Sequence, residues 1–277
     1  MNKNNPNLLQ TSGNAEKYPS PKTGFRLVFF MVLLFYFVPL LAKAAGADST
    51  KFSDYLYLYT TTFYTIIVLS IIIFHAKGLD IIRDHFSLWM IALGCFLAAS
   101  QGGEHDTIYK IFLVILGLRL LIYIIINRKS MKIPNLKSIL IGLLWSAITI
   151  IATVLLLVFL NPIRQPLPSN LLAYILDTFL YQISFVAVIE EAWFRGLLFS
   201  FLVMNGYQED RALVIQGILF WGGHYMKIST NPALFFVAVP ILTLSTSLIT
   251  KKYKMLYLPV IVHTLANVLG PVLVAIL

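Results

Sequence analysis

The chain has 277 residues, of which 58% are hydrophobic and only 12% charged, and its mean hydropathy is +0.82. Soluble domains are about 25% charged, so a soluble core of this size is excluded and a bilayer must solvate part of the apolar surface. The net charge of +9 lies in short segments between apolar runs. This pattern excludes nucleic acid as the expected partner.

The apolar runs predict an all-α protein, a polytopic transmembrane helix bundle that follows a polar, disordered cytoplasmic tail at residues 1–24. The third and seventh runs are short for a span of about 20 residues, so we expect eight or nine spans. The predicted helices lie near 26–45, 56–74, 87–99, 108–126, 139–160, 171–203, 212–224, 233–249 and 256–276.

Two features organise these runs. Prolines near residues 162–168 separate N-terminal transmembrane helices, 25–165, from a C-terminal part, 166–277, that holds the unusual polar residues. The run at 171–203 is long enough to be either one tilted helix or two helices with a break between them.

The basic residues predict the orientation in the membrane. With nine alternating spans and a cytoplasmic N-terminus, 14 Lys and Arg residues fall inside and five outside. Cytoplasmic loops carry such an excess. We therefore expect the N-terminus in the cytoplasm. Because no targeting element for an internal organelle is visible, we expect an integral multi-pass protein of a prokaryotic cell (inner) membrane.

Three ionisable residues interrupt the run at 171–203, namely Glu190, Glu191 and Arg195. Each costs about 2.5–3.5 kcal/mol near the centre of a span. Glu191 and Arg195 are four residues apart and can pair on one face of a helix. Glu190 diverges from Arg195 by about 140°. It is either a satisfied buried acid or a group available for acid–base chemistry.

Further polar residues occur at depth in two later helices. His224 follows Gly222 and Gly223 at the end of one run, where a capping role is the alternative. His263 and Asn267 share a face of the last predicted helix, where interhelical hydrogen bonding is the alternative. Taken with Glu190, this set suits hydrolysis, in which a carboxylate and an imidazole activate water while other donors stabilise an oxyanion.

The motifs in 171–276 resemble those of the CPBP intramembrane proteases, which include the type II CAAX prenyl endopeptidases and bacterial relatives known as Abi proteins. The resemblance implies a glutamate-dependent peptidase that needs no cofactor. It implies Glu190 as base, His224 as its partner on the water, His263 and Asn267 as oxyanion donors, and Glu191 with Arg195 as a supporting pair. The matching strings are Glu190-Glu191-x-x-x-Arg195, Phe220-x-x-x-His224 and His263-x-x-x-Asn267.

The same polar residues are compatible with other functions. Glu190, His224 and His263 would make a His₂Glu zinc site. A membrane scaffold or immunity protein on the same fold would use the polar residues without hydrolysis. A transporter would use Glu190 and His224 as a proton relay, although no inverted repeat is visible. The expected partners are the lipid bilayer and a membrane-associated peptide or protein substrate.

Overall fold

A computed structural model describes residues 52–73, 84–101, 107–128, 131, 135–160, 166–225 and 227–277, together with Arg26 and Phe30. The described residues form helices and connecting turns, with no strand among them, which confirms the predicted all-α class. Apart from Arg26 and Phe30, which are both helical, the helix predicted at 26–45 lies outside the described residues.

The helices begin and end close to the predicted boundaries, and one short turn of helix, Lys227–Thr230, precedes the seventh. They are α1 Phe52–Ile73, α2 His85–Ser100, α3 Thr107–Asn127, α4 Leu136–Leu160, α5 Leu171–Met204, α6 Glu209–Gly223, α7 Leu234–Tyr253 and α8 Tyr257–Ile276.

Five of these helices, α3, α4, α5, α7 and α8, are long and apolar enough to cross a bilayer, while α1 and α2 contain shorter apolar stretches. On α3 and α4 only 33% and 22% of the most apolar window is buried within the protein, and large side chains such as Ile126 and Phe159 point outward. Lipid is the solvent that accepts such a surface. The chain is therefore an integral membrane protein, and the total of eight or nine spans stays a prediction.

The α5 helix resolves the alternative left open for the long run at 171–203. It is one continuous helix, but two wide π-helical turns, Gln182–Val186 and Ala192–Leu198, interrupt its α-helical geometry. A π turn absorbs an extra residue, and such turns are frequent at functional sites. The residues beyond each π turn are therefore rotated relative to their positions on an ideal α-helix.

Helices α1 and α2 brace the first π turn. The Tyr64 hydroxyl of α1 donates to the carbonyl oxygen of Ser184 at 2.9 Å, and Gln101, at the end of α2, donates from Nε2 to the Ser184 hydroxyl at 2.8 Å. Gly94 permits this approach, because a Cβ there would overlap the Tyr64 hydroxyl and lie 3.0 Å from the carbonyl oxygen of Ile183. The wide turn is thus held by residues that are distant in sequence.

Polar contacts also tie the start of α2 to the start of α8. Asp84 caps α2 by accepting from the Ser87 backbone N–H at 2.8 Å, and its other carboxyl oxygen bonds the Ser87 hydroxyl. The Ser87 hydroxyl in turn accepts from the Tyr257 backbone N–H at 2.8 Å. Burial raises the pKa of Asp84 to about 6. This bridge, together with close packing of α4 along α8, fixes the position of α8.

Candidate functional site

Helices α5, α6 and α8 bring three of the predicted site residues together. Glu190 Oε2 lies 3.9 Å from Nε2 of His224 and also 3.9 Å from Nε2 of His263. These separations are too long for direct hydrogen bonds, but one water molecule can bridge polar atoms at such a distance. Within the described part of the chain, Glu190 Oε2 is buried and has no hydrogen-bond partner. The three side chains therefore face one small polar space.

The backbone of α6 orients His224. Its Nδ1 lies 2.8 Å from the carbonyl oxygen of Phe220, one helical turn earlier. Because a carbonyl can only accept, Nδ1 carries the hydrogen of this bond. In the neutral ring Nε2 then has a lone pair that faces Glu190. His224 lies at the end of α6 and is 21% exposed, more than Glu190 at 15% or His263 at 2%, so this side of the site is the more accessible one.

Glu191 connects the first motif to the third. It is fully buried, and its Oε1 accepts a hydrogen bond from His263 Nδ1 at 2.7 Å. Its Oε2 lies 3.3 Å from Nε of Arg195, which is the pairing expected from their spacing. The bond to Nδ1 turns Nε2 of His263 toward Glu190. The sequence predicted the contact with Arg195 and missed the contact with His263.

Phe220 is the apolar centre of the site. The Arg195 guanidinium lies 4.1 Å from the centre of its ring, close enough for a cation–π interaction. Phe194 and His263 meet the ring edge to face at 5.2 and 6.0 Å, and His224 lies 4.7 Å away. One aromatic ring therefore packs against the guanidinium and both imidazoles.

Asn267 has a partner that the sequence did not indicate. Its side-chain Nδ2 donates to Oε1 of Gln182 at 2.9 Å, and Gln182 is buried in the first π turn of α5. Asn267 and His263 are one helical turn apart on α8 and both face α5 through these contacts. The one sequence signal for Gln182 is an amide side chain within an apolar run.

The carboxylate of Glu190 and the Nε2 atoms of the two histidines could contact either a bound water or a metal ion. Both imidazoles have Nδ1 bonded to an oxygen and present Nε2 to Glu190, which is also how histidine ligands are oriented in zinc sites. Among the described residues, however, no group of three His, Cys, Asp or Glu side chains has the spacing of a metal site. The 3.9 Å separations between Glu190 Oε2 and the two Nε2 atoms are of a length that one water molecule can bridge.

Comparisons with known proteins agree with these motifs. Residues 172–269, about a third of the chain, match the family model described as Type II CAAX prenyl endopeptidase Rce1-like. This segment contains every residue of the site described above, from Gln182 to Asn267. The family is one of proteases, so the match indicates a hydrolase at family level. No curated protein and no solved structure matched the chain.

Proposed function

We propose that this protein is an intramembrane endopeptidase in which Glu190 and His224, both within the segment 172–269 that matches the family model, activate a water molecule. The observation that carries the proposal is the convergence of His224 Nε2 and His263 Nε2 on Glu190 Oε2, each at 3.9 Å. A general base must reach the proton that it abstracts directly or through one water, and one water can bridge atoms 3.9 Å apart.

In the proposed first step, a water molecule held by Glu190 and His224 attacks the carbonyl carbon of the substrate's peptide bond. Glu190 takes a proton from the water as the new carbon–oxygen bond forms. His224 orients the water through Nε2, because its Nδ1 is already bonded to the backbone of α6. This role requires Glu190 to be ionised before the attack.

The oxyanion that forms at the attacked carbonyl would accept hydrogen bonds from His263 and Asn267. Nδ1 of His263 is bonded to Glu191, so the ring can donate from Nε2 only as the imidazolium. In that form the ring donates from Nδ1 to Glu191 and from Nε2 to the oxyanion. With Glu190, Glu191, Arg195 and His263 all ionised, the formal charges in this buried cluster sum to zero.

The intermediate then collapses. The carbon–nitrogen bond breaks, and the proton held by Glu190 passes to the leaving amine. The products are a carboxylic acid and an amine, and the proton of the acid then passes to the amine or to solvent. Glu190 returns to its ionised form. The chemistry needs no cofactor, since every proton and electron pair is accounted for by water, substrate and side chains.

The substrate that we propose is a membrane-associated peptide or protein that reaches the site from the bilayer or its surface. The family description supports CAAX-type peptides as the first class to test. The excess of Lys and Arg in alternate loops supports a cytoplasmic N-terminus.

The test uses the full-length protein in phosphatidylethanolamine and phosphatidylglycerol liposomes with a farnesylated CAAX peptide and its unprenylated twin. Mass spectrometry of the products should show hydrolysis of one peptide bond in at least one of the two peptides. Faster cleavage of the farnesylated peptide would support recognition of the prenyl group. Equal rates would show that the protein recognises the peptide without its prenyl group. If neither peptide is cleaved, the proposal fails and a non-proteolytic scaffold becomes the better explanation.

A zinc-dependent peptidase is the second candidate, because both imidazoles present Nε2 in the manner of metal ligands. Glu190, His224 and His263 would hold the ion, which would supply Lewis-acid activation of water. Activity lost to a chelator and restored by zinc, with one equivalent of bound metal, would favour this candidate. Unchanged activity after chelation in protein shown to be metal-free would favour the cofactor-free mechanism.

A further inference from the structure

We propose that Gln182 is a positioning residue that orients the amide of Asn267 for oxyanion binding. We further propose that the first π turn of α5 places Gln182 beside Asn267. The proposal rests on the proposed function, because it assigns a role to a residue behind one of the suggested oxyanion donors. It concerns a residue outside the three motifs.

The contact itself determines the orientation of the Asn267 amide. Gln182 Oε1 accepts one of the two hydrogens on Asn267 Nδ2 at 2.9 Å. An amide group has a donor end and an acceptor end, so with Gln182 presenting Oε1, Nδ2 rather than Oδ1 of Asn267 faces Gln182. The second hydrogen of Nδ2 is then left as a donor. Without Gln182 the amide could rotate and present its oxygen to the site, where it would repel an oxyanion.

The π turn brings Gln182 to the required face of α5. Gln182 precedes Glu190 by eight residues, and in an α-helix with 3.6 residues per turn they would differ in direction by about 80°. The π turn at Gln182–Val186 absorbs about one residue. The two residues are then about two full turns apart, so their side chains point in nearly the same direction from the helix axis. Both side chains therefore meet α8, Glu190 near His263 and Gln182 at Asn267.

A wide turn of this kind needs support, because it leaves backbone groups poorly bonded within the helix. Tyr64 and Gln101 supply it by bonding the carbonyl oxygen and the hydroxyl of Ser184. Both residues lie outside the segment that matches the protease family. The N-terminal helices thus contribute to the site indirectly, by holding the turn that carries Gln182.

The test compares three variants of the full-length protein on whichever peptide of the CAAX pair the wild type cleaves. In Gln182→Met the side chain keeps its size but loses the acceptor, and kcat should fall about tenfold or more, as expected for a residue that orients a catalytic group. KM should change less than twofold. Gln182→Glu retains an acceptor oxygen and should recover part of the lost kcat.

Gln216→Met is the matched control. Gln216 is also buried and donates to the Ser247 hydroxyl at 2.6 Å, between α6 and α7. Gln216→Met removes this hydrogen bond and should lower the thermal unfolding midpoint about as much as Gln182→Met does. It should leave kcat unchanged. An equal loss of kcat in the two variants would mean that Gln182 acts only through stability, which overturns the proposal.

A double-mutant cycle with Asn267→Ala separates this inference from the proposed function. Loss of one oxyanion donor lowers kcat about 10²–10³-fold, and Gln182→Met should then have almost no further effect. Independent, multiplicative losses would overturn the role of Gln182 while leaving the peptidase intact. Full activity of Asn267→Ala would instead remove Asn267 from catalysis, and with it both the oxyanion assignment and this inference.

Discussion

Glu191 Oε1 and His263 Nδ1 lie 2.7 Å apart in a fully buried hydrogen bond between α5 and α8. Glu191 also lies 3.3 Å from Arg195, so one carboxylate connects a guanidinium to an imidazole. Such charge-assisted bonds are short and strong, and this one fixes both the ring orientation of His263 and the charge next to it. Glu191 is therefore more than one half of an ion pair.

Glu191→Gln keeps the size and an acceptor oxygen but removes the negative charge. We expect kcat to fall about 10- to 100-fold, the range found when partners of metal-binding histidines are removed, because the imidazolium form of His263 loses its counter-charge. KM should change little. The measurement is steady-state cleavage of the CAAX-type peptide in liposomes. A variant with wild-type kcat would show that the charge state of His263 does not matter for turnover.

Arg195→Met should destabilise the protein by about 3–5 kcal/mol, because it leaves the buried cluster of Glu190, Glu191 and His263 with an uncompensated negative charge. The change also removes the guanidinium that packs on Phe220. The measurement is thermal unfolding in detergent. Arg211→Met is the matched control, since Arg211 is exposed on α6 and its loss should leave the midpoint within experimental error. A similar midpoint for both variants would contradict the central role of Arg195.

Gly94→Ala should destabilise the protein by about 1–3 kcal/mol through overpacking, because the added Cβ would overlap the Tyr64 hydroxyl. The same substitution should cost less in a Tyr64→Phe background, where that hydroxyl is absent. The measurement is the set of unfolding midpoints for the two single variants and the double variant. Strictly additive losses would show that Gly94 and Tyr64 do not compete for this space.

The stability contributed by Asp84 should depend on pH. Its pKa is raised to about 6 in the folded protein by burial, against about 3.9 in an unfolded chain. The folded state therefore holds more protons between these values, and the free energy of unfolding falls as pH rises from about 4 to 6, by up to about 3 kcal/mol.

Asp84→Asn is neutral at every pH and is the control for this effect. The difference in unfolding midpoint between wild type and Asp84→Asn, measured from pH 4 to pH 7, should change in favour of the variant as pH rises. A constant difference across this range would contradict the prediction.

Most of the fold could be predicted from the sequence, because long apolar runs have few alternatives to helices in a bilayer. The ends of α3, α4, α7 and α8 all lie within a few residues of the predicted ends. The spacing of Glu191 and Arg195 also predicted their contact. These features depend on composition and on the regular period of the α-helix, both of which are local.

The π turns of α5 could not be predicted, because they depend on tertiary contacts. Nothing in the sequence near Gln182 indicates that Tyr64 and Gln101, 118 and 81 residues away, would stabilise a wide turn. On an ideal α-helix Gln182 would lie about 80° from Glu190, so the helical period does not indicate that both side chains face α8. The bond between Glu191 and His263 was missed for a similar reason, since the spacing to Arg195 already supplied a partner.

The measurement that tests the proposed mechanism most directly is kcat for Glu190→Gln beside Glu209→Gln, in liposomes and with a peptide that the wild type cleaves. Glu209 is a surface residue paired with Lys254, so its substitution should leave kcat unchanged. Glu190→Gln removes the proposed base from the space between the two imidazoles without changing its size. We predict a loss of at least about 10²-fold in kcat, with peptide binding retained. Wild-type turnover by folded Glu190→Gln protein would contradict the mechanism.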